Sequence, residues 1–550
     1  MNWLTALAVR IAAANAVAAA YASDQYPLTA QAETRVSLPW DEPLSQDATG
    51  NFIFQALASL MQTAANAIYP NGHAIVPASI PPGTLLYHGR GSDVLPEMDW
   101  IAFDPEHSMF FAGRGNDSTL FTFSTTRELK LVYFDGSSGN KVSGVVDTQE
   151  LLVWGEIRGG AGGRSGERQL ITDACTWGAQ YGIDGYVRME ADFEIMYCNF
   201  SQGLELVSAV NVVGGGSIGG PRGGPRKDQY LTSRDRLQGL PLPESPEHGP
   251  GGPPDRPGSP RGPGGPGGGS PTPPPGWKGS FPNSVMHEVG HAGAWHNDFP
   301  GELRVRVDPS GLISFFDPAL TSLAKARRSL TRRQYRLLNI SAMDIATVQA
   351  DAADVFARVS TAGSGLDWQG LARVIEDRFS DRLPYLRYLL HQPTTNVSAH
   401  TADIRQQLIT SLLPYMPRTG VGEPDWFAEI AHGCATRFTA HLPAARFTKQ
   451  EHVLFRAVDV VLHEICRVLT SAWRDAFDVE QQSVDVAAGL LKKWKDDVDW
   501  LVEWLDWPTW MGCHPACGVD EWCYVPQHRP FGGDDENDHT PRCVSMTPPL

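Results

Sequence analysis

The sequence predicts an α+β domain, then a Gly/Pro-rich linker, then a mostly α C-terminal domain, on three observations. Seven short runs rich in β-branched and aromatic residues fall between Thr84 and Val213, with one long helical pattern among them. The composition then breaks at Gly214–Gly279, where Gly-Pro runs such as Pro260–Pro266 leave few large apolar residues outside Tyr230–Leu242. From Pro318 the apolar spacing turns helical and stays so to Trp504. At 550 residues the chain is long enough for two or three domains with cores of their own.

The N-terminus and the cysteines point to one compartment. Met1–Ala22 is apolar and Ala-rich and ends in Ala20-Tyr21-Ala22, the small-residue pattern a signal peptidase cuts. It reads as a signal peptide, and the protein as secreted. The cysteines number eight, and four crowd the tail of residues 511–550 as Cys513, Cys517, Cys523 and Cys543. In an oxidising compartment these read as disulfides, with Cys175–Cys198 and Cys434–Cys466 as natural remaining pairs. The four tail cysteines leave three pairings open, and zinc bound with His514 is the alternative there. Sequons at Asn116, Asn199, Asn339 and Asn396 suit a glycoprotein. No later stretch of 18 apolar residues is long enough to span a membrane. A net charge of −17 argues against nucleic acid as a partner. The basic run Lys325–Arg336 reads as a solvated helix face.

Within residues 30–213, a helix is predicted at Phe52–Tyr69 and another at Gly166–Tyr181. Strands are predicted at Thr84–His88, Trp100–Phe103, Ser118–Ser124, Leu129–Phe134, Tyr186–Met189, Phe193–Asn199 and Leu204–Val213. Many short strands with few helices imply antiparallel sheets. The linker of residues 214–279 cannot bury enough surface to offset the entropy of ordering and should be disordered. It lacks an every-third glycine, which excludes a collagen helix. Arg226-Lys227 is a candidate processing site within it. Residues 280–510 should open with a hairpin over Glu302–Phe316, turning at Asp308–Gly311. Helices follow at Pro318–Ser329, Ala342–Val359, Trp368–Leu390, Ala402–Leu413, Phe427–Phe438, Lys449–Ala476 and Gln482–Trp504. Trp494, Trp500, Trp504 and Trp507 form an aromatic stripe that reads as core.

Two constellations carry chemistry. Breaking the bond between a ribose and nicotinamide builds oxocarbenium-like charge, which a nearby carboxylate stabilises. A His can hold a ribose hydroxyl, and a Gly after it lets the backbone approach the nicotinamide amide. Tyr87-His88-Gly89-Arg90 supplies the His and the Gly at a strand end. Asp104–Ser108 looks like a strand-to-helix entry with Asp104 or Ser108 as cap. Glu194 lies in an apolar, strand-like run where a charge is costly unless partnered or functional. Gly159–Gly166 is glycine-rich without the P-loop pattern and reads as a flexible loop.

These segments, Gly83–Gly89, Trp100–Asp104 with Ser108, Ile183–Val187, and Glu194–Tyr197 followed by Leu204–Val213, resemble the ADP-ribosyltransferase fold. The resemblance covers about 130 of the residues. It implies a split sheet, NAD as cofactor, and ADP-ribosyl transfer to an unidentified protein or small-molecule acceptor, or NAD hydrolysis. On it, His88 would anchor the NAD ribose and Glu194 would be the catalytic carboxylate. Tyr87, Gly89 and Arg90 would lie along the cofactor, and Phe103 or Ser108 would take the family's middle-strand position. The chain overall also resembles uncharacterised secreted proteins of filamentous fungi.

The second constellation is His287-Glu288-Val289-Gly290-His291. On a helix, His287 and His291 face one way and can bind zinc, while Glu288 can activate a water as general base. A zinc-dependent hydrolase is therefore the alternative reading, and a non-catalytic secreted binding protein a third. No third ligand is evident: His296 follows at the wrong spacing, and nothing selects Asp298 or Glu302.

Overall fold

The structure, a computed structural model, describes residues 39–45, 47–112, 117–140, 142–159, 164–212, 285–358, 363–526 and 539–547. The expected signal peptide, the Gly/Pro linker with Arg226-Lys227, Asn116 and residues 160–163 of the Gly159–Gly166 loop lie outside the described residues. The chain forms two compact units, Gln55–Ala362 with Trp507–Leu550, and Met1–Phe54 with Gly363–Asp506. The break in composition is thus not the break in the fold. Residues 285–358 and the tail, expected in or after the helical domain, belong to the α/β unit.

The α/β unit is built on one mixed sheet. Its strands are β1 (Ala74–Ile80), β2 (Leu85–Arg90), β3 (Asp99–Ala102), β4 (Thr119–Thr125), β5 (Leu129–Phe134), β6 (Gly185–Glu190), β7 (Asp192–Tyr197), β8 (Leu204–Asn211), β9 (Arg306–Val307) and β10 (Ile313–Ser314). Their order is β10-β1-β5-β6-β7-β3-β2-β4-β8, with β9 also on β1. The seven predicted strands are present within a few residues of their expected ends. Antiparallel pairing holds throughout except between β5 and β6, which run parallel. A parallel pair needs a long crossover, and the helices Asp147–Trp154 and Arg164–Gly178 supply it. The split sheet implied by the resemblance is not seen, because β3 bonds both β2 and β7 and joins the halves.

The expected hairpin over Glu302–Phe316 is corrected too. β9 and β10 do not pair with each other; both lie along β1, a strand the sequence concealed behind Pro77. Proline has no N–H to give a ladder, so the chain lifts away opposite it into the Pro309–Gly311 turn. The Asp308 N–H then donates to the Pro77 carbonyl at 2.8 Å. The predicted helix Phe52–Tyr69 breaks at Met61, whose φ is +62°, into Gly50–Ala58 and Thr63–Ile68.

β6 and β7 are buried at every position. Pleating and their register, with Arg188 opposite Glu194, sort the side chains by face. Val187, Met189, Phe193 and Ile195 face one way, each fully buried, which stabilises by roughly 1.5–3 kcal/mol apiece. Tyr186, Arg188, Glu190, Asp192, Glu194 and Met196 face the other. The helix Pro105–Phe111 lies against β2 at Gly89. A Cβ there would sit 1.7 Å from the Ser108 carbonyl oxygen. Gly89→Ala should therefore lift this helix and cost about 3 kcal/mol. An unchanged urea midpoint would show that the helix is not seated on Gly89.

The second unit is helical. Its helices are Trp368–Phe379, Arg382–His391, Val397–Leu412, Pro424–Thr436, Lys449–Ala476 and Val484–Leu505. Lys449–Ala476 is central and starts with a capping box, in which Thr448 and Glu451 each accept the other's backbone N–H. Cys434–Cys466 ties it to Pro424–Thr436. The predicted single helix Trp368–Leu390 is interrupted after Phe379, because Pro384 has no N–H and suits only a first turn. Of the tryptophan stripe in this unit, Trp494 is core, whereas Trp500 is exposed and stacked on Trp504.

Candidate functional site

Tyr87 pairs with Ala102 and Ala102 with Glu194, so these three share a sheet face. His88, one residue on, points to the opposite face. Its contacts agree. The His88 ring packs against Phe121 and Phe200, and its Nδ1 lies 2.6 Å from the Trp100 carbonyl. Burial lowers its pKa. Arg90 lies on that same face. The expected meeting of His88 and Glu194 in one hollow does not occur. The other expected cofactor contacts are used internally. Ser108 Oγ donates to the Tyr87 carbonyl, Gly89 is covered by Ser108, and Phe103 is buried beneath Arg304.

Glu194 belongs instead to a buried ionic face. Arg188 Nε donates to Glu194 Oε1 at 2.7 Å, and its Nη2 to Glu167 Oε1 at 3.2 Å. Glu190 adds a third nearby negative charge, and the guanidinium packs over Trp100. His107, on the helix Pro105–Phe111, brings Nε2 to 3.9 Å from Glu194 Oε2. His107 is thus the imidazole beside Glu194.

Two residues along β7 the same face carries a second cluster. Asp192 meets Asp104 and His296, and each offers a ligand atom within 4.8 Å of the others. His296 Nε2 lies 3.6 Å from Asp104 Oδ2 and 3.2 Å from Glu302 Oε2. Arg304 Nη2 reaches Asp104 Oδ2 at 2.9 Å, its Nε reaches Glu302 Oε1 at 2.7 Å, and its Nη1 donates to the Phe103 carbonyl. Asp192 is fully buried, and its Oδ2 has no hydrogen-bond partner.

Local sequence explains the assembly. The one-residue β6–β7 connection holds Ala191 at a φ of +64°. Gly293 in the helix Val285–Ala294 sits on the Ala191 carbonyl, where a Cβ would lie 2.2 Å from the oxygen. That close approach lays the segment after the helix, with His296, over Asp192.

The charges here are strongly coupled. Burial pushes Asp192 well above the usual carboxylate range, and the charge of Asp104 adds to this. Burial would raise Asp104 also, but hydrogen bonds with His296 and Arg304 hold it down to about 2. Burial opposes charge on His296, yet Asp104, Asp192 and Glu302 together raise its pKa.

His287-Glu288-Val289-Gly290-His291 does lie on a helix. His287 Nε2 lies 3.0 Å from the Ser545 carbonyl, and both His rings pack on Trp522. Among the described residues, neither His287 nor His291 joins a group of three possible metal ligands. In the tail, Cys513–Cys523 and Cys517–Cys543 are disulfides, which leaves no thiolate for zinc beside His514. Cys175–Cys198 completes the set of four, which suits an extracellular protein. Among the described residues no helix is long and apolar enough to cross a membrane.

Comparison with known proteins places the α/β unit in context. Residues 44–119 and 113–219 match the family described as the YPL277C N-terminal domain. The uncharacterized protein YPL277C of Saccharomyces cerevisiae is 29% identical over 318 residues, covering 48% of this chain and 60% of that protein. The uncharacterized protein YOR389W of the same yeast is 29% identical over 246 residues, covering 35% of this chain and 37% of that protein. The chain thus spans less than two thirds of either relative. No solved structure matches. The chain is similar, over residues 44–219, to the family described as the YPL277C N-terminal domain, and over about half or less of its length to uncharacterized yeast proteins.

Proposed function

We propose that the α/β unit is a metal-dependent hydrolase whose divalent cation is held by Asp104, Asp192 and His296. One observation carries this reading: three ligand atoms converge within 4.8 Å, and one of the carboxylates has a buried oxygen with no hydrogen-bond partner. Formal charge supports it. With His296 neutral and Asp192 ionised, as ligation requires, Asp104, Asp192 and Glu302 would set three negative charges against the single guanidinium of Arg304. That is a deficit of two in a buried site, which protons on Asp192 and His296, both raised in pKa, otherwise relieve. A divalent ion removes that deficit. Mixed carboxylate and imidazole donors suit zinc or manganese.

Asp104, Asp192 and His296 would hold the ion, and the chemistry it would supply when bound is acidification of water for hydrolysis. Glu302, beside His296, is placed to accept a proton. Arg304 is the most exposed member of the cluster and can face developing negative charge on a substrate. This is the hydrolytic chemistry expected of His287, Glu288 and His291, moved to residues that converge. NAD clasped between His88 and Glu194 would have to thread the sheet.

Metal analysis of the full chain tests the reading. After loading with zinc or manganese, one ion per chain should remain on the native protein. Asp192→Asn and His296→Ala should each lose it, while His291→Ala should keep it. Hydrolysis of activated esters should then fall with a chelator and with Asp192→Asn. No retained ion would overturn the proposal. So would release of nicotinamide from NAD that depends on Glu194 and is indifferent to chelation.

A further inference from the structure

A cavity elsewhere in the α/β unit is lined by Gln55, Tyr69, Asn71, His73, Arg332 and Arg333 among others. Arg332 and Arg333 line it, from the basic run that the sequence suggested was a solvated face, while Lys325 and Arg328 of that run are exposed. Arg327 is buried, donating to the Phe315 carbonyl, and Arg336 pairs with Asp147. Arg332 lies flat on Tyr69, its guanidinium carbon 3.8 Å from the ring centre, and donates to Gln55 Oε1. Arg333 stands on the same wall, and desolvation lowers its pKa to about 10. This wall offers guanidinium N–H groups fixed in direction.

The facing side chain is an acceptor. His73 is 4% exposed, and its ring is clamped on Phe316 at 4.4 Å. Burial, with the charges of Arg327 and Arg332, keeps it neutral. Its Nδ1 lies 2.8 Å from the Asn71 carbonyl and therefore carries the proton. Nε2 is left with a lone pair and no hydrogen-bond partner. Asp135 also lines the cavity, its Oδ1 already taken by the His73 and Ala74 N–H groups, so the guanidinium donors face a carboxyl as well as the His73 acceptor. Such a site calls for an anion that keeps a proton of its own.

We propose that this cavity binds hydrogen phosphate, with Arg332 and Arg333 donating to its oxygens and His73 Nε2 accepting its P–OH proton. The cavity is small, which selects the free ion over a nucleotide. Sulfate has the same shape and charge near pH 8 but carries no proton, so it cannot satisfy His73. The site is separate from Asp104, Asp192 and His296, and its failure would leave the metal reading untouched.

Calorimetric titration of the full chain near pH 8 with inorganic phosphate, and separately with sulfate, decides the matter. Phosphate should bind at least tenfold more tightly than sulfate. Arg333→Gln should weaken phosphate at least tenfold, and His73→Phe should bring it down to the level of sulfate. Absence of phosphate binding to the native protein, or equal affinity for the two ions, overturns the proposal. The comparison of ions on the native chain holds even if a variant fails to fold.

Discussion

Replacing Arg188 by Leu should cost the α/β unit about 4 kcal/mol or unfold it outright. Arg188 is 1% exposed and is the cation between Glu194 and Glu167, with Glu190 close by. Removing the guanidinium leaves buried carboxylates with no compensating charge, which is far worse than never having buried the pair. Arg188→Leu combined with Glu194→Leu should therefore recover part of the loss, since it removes a charge of each sign and adds apolar surface. Urea midpoints of the two variants against the native chain measure both effects. A single-variant loss below about 1 kcal/mol, the range of a solvated pair, would mean that this face is wet and inexpensive.

The size of that cost bears on function. The same sheet face holds two acid-rich groups, each organised around one arginine: Arg188 with Glu167, Glu190 and Glu194, and Arg304 with Asp104, Asp192 and Glu302. The reverse face of β6 and β7 is wholly apolar and shows what a merely structural strand pair would bury. A cation at Asp192, as proposed above, would give the charged face a purpose that packing does not.

Much of this fold was legible because it follows local rules. The strands from β2 to β8 carry β-branched and aromatic runs between Gly, Asp and Asn, and Lys449–Ala476 announces its start with Thr448 and Glu451. β1 was hidden by Pro77, which the structure accommodates by lifting the opposite chain. The domain boundary was misread because the Gly/Pro segment interrupts the sequence of one unit, whose sheet β9 and β10 complete after it. For the site, Glu194 was rightly singled out as a charge in an apolar run. Its partner was not, because one residue of pleat decides the face and Tyr87-His88 looks the same either way. Asp192 escaped because nothing local marks a charge at the first position of a strand, beside a turn, as buried; only the approach of the His296 segment buries it. His296 was set aside on motif spacing, although the segment after the helix carries it to Asp104 and Asp192.

Asp135 and His73 should give the native protein a muted acid response that either variant exposes. Burial raises the Asp135 carboxyl to about 7, against the backbone N–H groups of His73 and Ala74 that donate to its Oδ1. Burial, with Arg327 and Arg332, lowers His73 to about 3. A raised carboxyl contributes stability that is present below its unfolded pKa near 4 and is lost as pH rises to 7. A lowered imidazole contributes stability that is present above its unfolded pKa near 6.5 and is lost as pH falls to 3. Each amounts to about 4–5 kcal/mol, from shifts of somewhat over three pH units. They run in opposite directions over nearly the same window. Asp135→Asn, which keeps an oxygen for the two N–H groups, should therefore gain on the native protein as pH rises from 4.5 to 7.5. His73→Phe should gain as pH falls over that range. Urea unfolding of the three proteins at both pH values reads the crossing directly. Parallel responses would mean that neither group titrates in the folded chain as its burial requires.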